Sequence, residues 1–230
     1  MTRRTGKEQT MAYRAAVFDL DGTLLNTLGD LADSGNELLA SYGMTPHPEQ
    51  AYRYFVGNGS RKLMERILPG KPPEVIDEAL ARYKAIYEKR LTAKSKPYEG
   101  IAETLSALRA RGIRLAVCTN KHISAAEVLI RTYFPADMFD AFEGDRPGVP
   151  RKPDPAHVNI VLEKMGVRPE ETVYIGDSGV DMQTATNAGA LPVGVLWGFR
   201  EKDELLENGA KILLSQPSEL LEKVDFVHNG

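Results

Sequence analysis

Cysteine and long apolar runs are both scarce in this sequence of 230 residues. The single cysteine, Cys118, cannot form a disulfide within the chain, which suits the reducing cytoplasm. No apolar run approaches the roughly 20 residues that a membrane-spanning helix needs. Residues 1–12 are mostly polar and lack the apolar stretch of a signal peptide. We therefore expect a cytoplasmic protein with a disordered N-terminal extension over 1–12 and no membrane partner.

The sequence also lacks an excess of positive charge. Its 29 Lys and Arg residues against 32 Asp and Glu residues give a formal net charge of −3. Nucleic-acid-binding proteins usually carry a strong basic excess, so we expect no nucleic-acid partner. The histidines have no metal-ligand spacing; they are His47, His122, His157 and His228. A small anionic substrate remains compatible with this composition, because local charge governs its binding.

The order of apolar patterns along the chain indicates an α/β fold. The apolar run 15–20 ends in an Asp-Gly turn and predicts a buried strand, and 27–94 reads as mostly helical. Beyond that stretch, helices are predicted over 101–110, 122–133, 180–187 and 217–224, and strands over 113–118, 172–175, 192–196 and 211–214. Such alternation is typical of a parallel sheet with helices on both faces. We predict a Rossmann-like, doubly wound core.

The long helical stretch interrupts this core directly after its first strand. We assign 13–25 and 97–230 to the α/β core and 26–96 to an inserted helical cap. An insertion at this point should lie over the carboxyl edge of the sheet, where α/β folds bind their ligands. The cap is therefore expected to cover the functional site.

Four strand ends carry, in chain order, a carboxylate pair, a hydroxyl beside an amide, a lysine in a proline turn, and a second carboxylate pair. These residues are Asp19, Asp21, Thr119, Asn120, Lys152, Asp177 and Asp181. Each motif alone has an ordinary structural explanation as a turn, a helix cap or a solvated lysine. Together they are more specific, because the carboxyl ends of parallel strands meet at one edge of the sheet. The set predicts a single site there.

These residues resemble the four motifs of the haloacid dehalogenase superfamily of phosphohydrolases, over nearly the whole chain from about Arg14. The helical insertion resembles that superfamily's cap. The nearest group is phosphoglycolate-phosphatase-like, on the basis of F-V-G-N-G at 55–59, V-L-W-G-F at 195–199 and Q-P-S-E-L at 216–220. One departure is the turn R-K-P-D-P, since the family often has K-P-x-P with a longer spacer. Arg151 therefore stands beside Lys152 as an alternative cation.

The resemblance implies a phosphatase that works through an aspartyl-phosphate intermediate. Asp19 would be the nucleophile, and Asp21 would protonate the leaving oxygen and then assist the attacking water. Thr119 would hydrogen-bond a phosphoryl oxygen, together with backbone N–H groups such as that of Asn120. Lys152 would neutralise charge on the phosphoryl group and on the nucleophile.

The resemblance also implies a magnesium cofactor. Three clustered aspartates would repel one another without a hard cation, and oxygen-only ligands suit Mg²⁺. Asp19, the backbone carbonyl of Asp21, and Asp177 would be the ligands. Asp181 would lie behind them and support the ligands without binding the ion directly.

The predicted cap contains one candidate substrate-binding segment. Gly57, Asn58 and Gly59 precede a helix that begins near Arg61. Free N–H groups at the helix start, with the charge of Arg61, could hold a substrate carboxylate; a plain loop with a solvated basic pair is the alternative. With a carboxylate site, 2-phosphoglycolate is the leading substrate.

Several other functions remain open at this stage. Pyrophosphatase, sugar-phosphate phosphatase and phosphomutase chemistry all occur on the same fold. A receiver domain, which accepts phosphate without catalytic turnover, also has an acidic cluster and a lysine on an α/β fold. Receivers are about half this length and have no cap, which disfavours that alternative. The sequence leaves the oligomeric state open between monomer and homodimer.

Overall fold

Six parallel strands form a sheet at the centre of the structure, a computed structural model that describes residues 12–227. The strands of the described residues, numbered in chain order, are β1 (Ala15–Phe18), β2 (Leu25–Asn26), β3 (Lys96–Pro97), β4 (Arg114–His122), β5 (Ala141–Asp145), β6 (Thr172–Gly176), β7 (Leu191–Val195) and β8 (Ile212–Leu214). The sheet order is β5-β4-β1-β6-β7-β8, and all neighbours in it are parallel. Chain order runs outward from β1 on both sides, which confirms the doubly wound, Rossmann-like prediction.

Of the ten α-helices in the described residues, nine lie between these strands along the chain and the last follows β8. They are α1 (Leu28–Ser41), α2 (Glu49–Phe55), α3 (Ser60–Ile67), α4 (Pro73–Glu88), α5 (Ile101–Ala110), α6 (Ile123–Tyr133), α7 (Ala156–Met165), α8 (Gly179–Ala188), α9 (Lys202–Glu207) and α10 (Leu220–Lys223). None of them combines the length and apolar composition that crossing a membrane requires.

Helices cover both faces of the sheet, so its central strands are buried on both sides. In β1, Ala16 and Phe18 pack into one apolar cluster with α5 and α6, whereas Ala15 and Val17 pack into another with α7 and α8. This division follows the alternation of side chains along a strand. It also explains why β1 reads as an uninterrupted apolar run, as parallel strands buried on both faces do.

The helices α1 to α4 lie between two short strands that pair with each other. β2 and β3 are antiparallel, with Leu25 opposite Pro97 and Asn26 opposite Lys96. The chain therefore leaves the sheet region and returns to it at the same place. The buried carboxylate of Asp30 on α1 holds the start of this helical stretch to its end. It accepts hydrogen bonds from the backbone N–H groups of Lys94 and Ser95 at 2.8–3.0 Å. The assignment of 26–96 as a separate cap domain stays a prediction, and 1–11 lie outside the described residues.

Five elements of the described residues were absent from the sequence-based list, namely β2, β3, β5, α7 and α9. Strand β5 has the sequence A-F-E-G-D, which is polar in its second half, and it lies at the edge of the sheet beside β4. Helix α7 follows the proline turn that contains Lys152. Strand β4 also runs further than predicted, to His122, and it therefore includes Thr119 and Asn120 within the strand.

Candidate active site

The first carboxylate of the site stands at the carboxyl end of β1. Asp19 is 7% exposed, and its backbone N–H continues the sheet by donating to Ile175 at 2.9 Å. The chain turns sharply at Gly22, whose φ of +89° lies in the left-handed region that favours glycine. A side chain at this position would overlap the carboxylate of Asp177. The Asp-Gly turn therefore lets the ends of β1 and β6 approach each other closely.

Lys152 lies at the centre of the polar cluster. Its Nζ donates to Asp19 Oδ1 at 2.8 Å and to Asp181 Oδ1 at 2.7 Å, and also to the Tyr174 hydroxyl at 3.0 Å. The side chain is only 2% exposed. Arg151 instead forms two hydrogen bonds with Asp145, at 2.6 and 2.7 Å, and its side chain is 44% exposed. The structure thus brings the lysine, and not the neighbouring arginine, to the first carboxylate.

Three buried carboxylates meet beside this lysine. Asp19, Asp177 and Asp181 each offer an oxygen within 4.8 Å of the others. Both oxygens of Asp181 are already hydrogen-bonded, Oδ1 to Lys152 and Oδ2 to the Ser178 hydroxyl at 2.6 Å. Asp177 accepts the backbone N–H of Phe199 at 2.7 Å. This pairing leaves Asp19 and Asp177 better placed than Asp181 to bind an ion directly.

The carboxylates carry more negative charge than their surroundings offset. Burial raises the pKa of Asp19 to about 7, although the nearby Lys152 acts in the opposite direction. Burial, with the charges of Asp181 and Asp19, raises the pKa of Asp177 well above its ordinary value. Within the described residues Asp177 has no salt-bridge partner. A dense, buried set of oxygen donors of this kind fits a hard divalent cation.

Asp21 faces the open side of the site and is held by two side chains. Its Oδ1 accepts a hydrogen bond from the Thr27 hydroxyl at 2.6 Å, and its Oδ2 accepts one from Lys121 Nζ at 2.9 Å. The Lys121 ammonium also lies 4.8 Å from the ring centroid of Tyr87. These contacts fix the orientation of the Asp21 carboxyl beside the cavity that it lines.

Thr119 and Asn120 lie near the end of β4 and line the same cavity. The Thr119 hydroxyl accepts from the backbone N–H of Lys121 at 3.2 Å. The Asn120 side chain joins two loops, because its Nδ2 donates to the carbonyl of Gly57 at 3.0 Å and its Oδ1 accepts from the backbone N–H of Lys152 at 2.9 Å. Because its side-chain amide is engaged in these contacts, Asn120 would bind phosphate through its backbone N–H.

The predicted substrate-binding segment divides into two parts. Gly57 and Gly59 line a cavity of about 410 Å³ that also reaches Asp19 and Asp21. The side chain of Asn58 instead accepts a hydrogen bond from Arg66 at 2.7 Å. These glycines thus reach the site, whereas Asn58 is directed toward α3.

Arg61, the predicted source of positive charge, lies on α3 outside the lining of this cavity. Its guanidinium pairs with Asp77 and, at 3.5 Å, with Glu65. Its side chain is 38% exposed. The structure does not bring Arg61 to the catalytic carboxylates, and its part in substrate binding stays a prediction.

Sequence reasoning missed five side chains that contact the predicted residues or line the cavity, namely Thr27, Lys121, Tyr83, Tyr87 and Tyr174. Lys121 directly follows Thr119 and Asn120, so its place in the same motif was an available signal. Tyr83 and Tyr87 are four residues apart on α4 and therefore share a helix face. Tyr174 lies within β6 and had no signal of its own in the sequence.

A family model described as "Haloacid dehalogenase-like hydrolase" matches residues 16–195. A phosphoglycolate phosphatase from Rhodospirillum rubrum is 37% identical over 226 residues, covering 94% of this chain and 93% of that protein. One from Psychrobacter arcticus is 35% identical over 197 residues, covering 82% of this chain and 86% of that protein.

This chain belongs to the haloacid dehalogenase-like hydrolase family. Among solved structures, a provisionally named phosphoglycolate phosphatase from Lactobacillus delbrueckii subsp. bulgaricus superimposes on this haloacid dehalogenase-like hydrolase with a TM-score of 0.88. The two are 30% identical, and the match covers 93% of this chain and 99% of the other. Within the family the chain falls in the phosphoglycolate-phosphatase-like group, and it is a hydrolase of the phosphatase type.

Proposed function

We propose that this enzyme hydrolyses a small phosphomonoester, with 2-phosphoglycolate as the leading substrate, through an aspartyl-phosphate intermediate on Asp19. The observation that carries this proposal is the buried pair of Asp19 and Lys152, 2.8 Å apart, beside two further carboxylates, with Asp19 lining the cavity. A carboxylate nucleophile must approach a phosphate that is itself negative. The adjacent ammonium offsets part of that repulsion.

In the first half-reaction, an oxygen of Asp19 would attack phosphorus and form a P–O bond to the enzyme. The bond between phosphorus and the substrate oxygen would break, and Asp21 would give its proton to the leaving alkoxide. In the second half-reaction, Asp21 would take a proton from water as the water attacks the aspartyl phosphate. Phosphate would leave and Asp19 would be regenerated. The hydrogen bonds from Thr27 and Lys121 support this role by fixing the Asp21 carboxyl.

Asp19 and Asp177 would hold Mg²⁺, together with the backbone carbonyl of Asp21. When bound, the ion supplies positive charge that stabilises the transferring phosphoryl group. Asp181 would support the site by holding Lys152 through the 2.7 Å ion pair. The raised pKa of Asp177, caused first by burial and then by the charges of Asp181 and Asp19, supports this assignment, because a bound cation would favour the ionised carboxylate.

The choice of 2-phosphoglycolate is supported by the names of the relatives. Pyrophosphatase, sugar-phosphate phosphatase and phosphomutase activities are the alternatives on the same fold. The cytoplasmic location and the choice between monomer and homodimer also stay predictions.

Phosphate release from a panel of phosphometabolites, with Mg²⁺ and with EDTA, tests the proposal. We expect 2-phosphoglycolate to have the highest kcat/KM and EDTA to abolish turnover reversibly. Asp19→Asn should fold normally but lose at least about 10³-fold in kcat, as expected when a covalent nucleophile is removed. Substantial turnover by this variant would eliminate Asp19 as the nucleophile. A different best substrate in the panel would eliminate only the substrate assignment.

A further inference from the structure

The segment V-L-W-G-F at 195–199 begins at the last residue of β7, and the phosphoryl-transfer chemistry does not explain it. Its backbone lies directly against one of the buried carboxylates, because the N–H of Phe199 donates to Asp177 Oδ2 at 2.7 Å. A side chain at Gly198 would overlap both Asp177 and the carbonyl of Gly22. The glycine of this segment is therefore required for the close approach of its backbone to the candidate metal ligand.

A guanidinium from α2 holds the other side of the same backbone. Arg53 Nη2 donates to the carbonyl of Gly198 at 3.2 Å, and its Nε donates to the carbonyl of Phe199 at 2.9 Å. The carbonyl of Gly198 and the N–H of Phe199 belong to one planar peptide group. That peptide group accepts a hydrogen bond from the guanidinium and donates one to the carboxylate. It therefore connects Arg53 to Asp177.

This connection is well suited to fixing the orientation of a metal ligand. A peptide group whose carbonyl accepts from a cation is polarised, and its N–H then makes a stronger hydrogen bond. Among residues 12–227, the N–H of Phe199 is the one hydrogen-bond donor to the side chain of Asp177. Carboxylates that bind metal ions are typically held by such outer hydrogen bonds, which orient them toward the ion. The orientation of Asp177 thus depends on a peptide group that Arg53 holds.

We infer that Arg53 is a positioning residue, which acts through the peptide group between Gly198 and Phe199 to hold Asp177 in the orientation that binds Mg²⁺. This inference rests on the proposed function, specifically on Asp177 as a ligand of the ion. It adds that a residue of the helical stretch between β2 and β3 contributes to metal affinity without touching the metal. It also gives the V-L-W-G-F segment a role, since this backbone carries the contact.

Titration of the protein with Mg²⁺ in the absence of substrate tests the inference. Arg53→Met keeps an unbranched apolar stem but removes both hydrogen bonds to the segment. We expect the Kd for Mg²⁺, measured by calorimetry, to rise about tenfold, the lower end of the loss seen when outer partners of metal ligands are removed. Arg53→Lys keeps the charge and a donor, so it should recover part of the affinity.

Steady-state kinetics with varied Mg²⁺ give a second readout. The Mg²⁺ concentration for half-maximal activity should rise in Arg53→Met by the same factor as the Kd. Activity at saturating Mg²⁺ should fall far less than activity at low Mg²⁺, because Arg53 contacts none of the groups that transfer the phosphoryl group. An equal loss at all Mg²⁺ concentrations would contradict a role in holding a metal ligand.

Arg66→Met is the matched control. Arg66 also lies in the helical stretch and donates to a backbone carbonyl, that of Phe55 at 2.8 Å, but its other partner, Asn58, belongs to the same stretch. We expect its Kd for Mg²⁺ to equal that of the wild type. An equal Kd in the wild type and Arg53→Met would overturn the inference, and so would an equal rise in Arg66→Met.

Asp177→Asn separates failure of this inference from failure of the proposed metal site. If Asp177 binds the ion, this variant should have a higher Kd for Mg²⁺ than Arg53→Met. Wild-type affinity in Asp177→Asn would reject the metal assignment and the inference together. Weak binding by Asp177→Asn with wild-type binding by Arg53→Met would leave the metal assignment in place and reject the inference alone.

Discussion

The sheet side of the cavity and the α4 side differ in how their polar groups are paired. On the sheet side, Lys152 donates hydrogen bonds to Asp19, Asp181 and Tyr174. On the α4 side, the hydroxyls of Tyr83 and Tyr87 have no partner among the described residues. The first arrangement keeps charges fixed before the reaction, as electrostatic catalysis requires. The second leaves two buried hydroxyls without that constraint.

The largest loss of activity and stability is expected when Lys152, the cation among the buried carboxylates, is replaced. Lys152→Met keeps an apolar stem of similar length but leaves Asp19 and Asp181 buried without their common partner. We expect kcat to fall by about 10²- to 10³-fold and the free energy of unfolding to fall by about 3–5 kcal/mol. Urea unfolding and steady-state kinetics measure the two effects.

Lys164→Met is the matched control for this loss of stability. Lys164 Nζ lies 2.7 Å from Glu143, but the lysine side chain is 51% exposed, and Glu143 keeps Arg146 as a second partner at 2.9 Å. The expected loss is below about 1 kcal/mol. Equal losses in the two variants would show that the burial of Lys152 adds nothing to the strength of its ion pairs.

A smaller effect on the same side should appear as a pH dependence of stability without metal. Asp19 has a pKa of about 7 in the folded protein, against about 3.9 for an ordinary aspartate, so the folded state holds an extra proton between these values. Its contribution to the free energy of unfolding therefore falls as pH rises from about 4 to 7 and is constant above that. Asp177 contributes in the same direction.

Mg²⁺ should oppose this decline, because it binds the ionised carboxylates. We expect Mg²⁺ to raise the thermal midpoint more at pH 8 than at pH 5.5. Urea unfolding in EDTA across this range, compared with Asp19→Asn, isolates the Asp19 contribution from other titrating groups. A slope that is unchanged in Asp19→Asn would contradict the assignment of that proton to Asp19.

The smallest effect is expected at Arg61. Because its guanidinium pairs with Asp77 and Glu65 outside the cavity lining, Arg61→Ala should change kcat/KM for 2-phosphoglycolate by less than about twofold. A selective rise in KM for 2-phosphoglycolate, with ethyl phosphate, which lacks the carboxylate, unaffected, would instead favour the carboxylate site at the start of α3 that the sequence pattern predicts.

The two sides also differ in how far the sequence could predict them. Asp19, Asp177 and Asp181 follow strands that read clearly as apolar runs, and parallel strand ends meet at one edge by the geometry of the fold. Lys152 was predicted from its proline turn, although β5, the strand before that turn, was missed. Its short, half-polar sequence at the sheet edge lacks the pattern of a buried strand.

The α4 side was harder to predict because its geometry depends on tertiary packing. Tyr83 and Tyr87 have the spacing of an ordinary helix face, and the same spacing is typical of a buried core stripe. Only the packing of α4 against the remaining structure decides whether their oxygens meet a partner. At Arg61, a basic residue near a glycine-rich loop predicts an anion site, and the structure pairs its guanidinium with a neighbouring acid, so the substrate contact stays a prediction. Sequence patterns identify the face of a helix more readily than what lies opposite that face.

The pairing of β2 with β3 has a consequence for how such an enzyme can change over evolution. Since the chain departs and returns through adjacent strands, the stretch between Asn26 and Lys96 can be lengthened, shortened or exchanged without shifting the register of β1 against β4. Such changes would leave Asp19 and Thr119, which follow the paired stretch of β1 and β4, where they are.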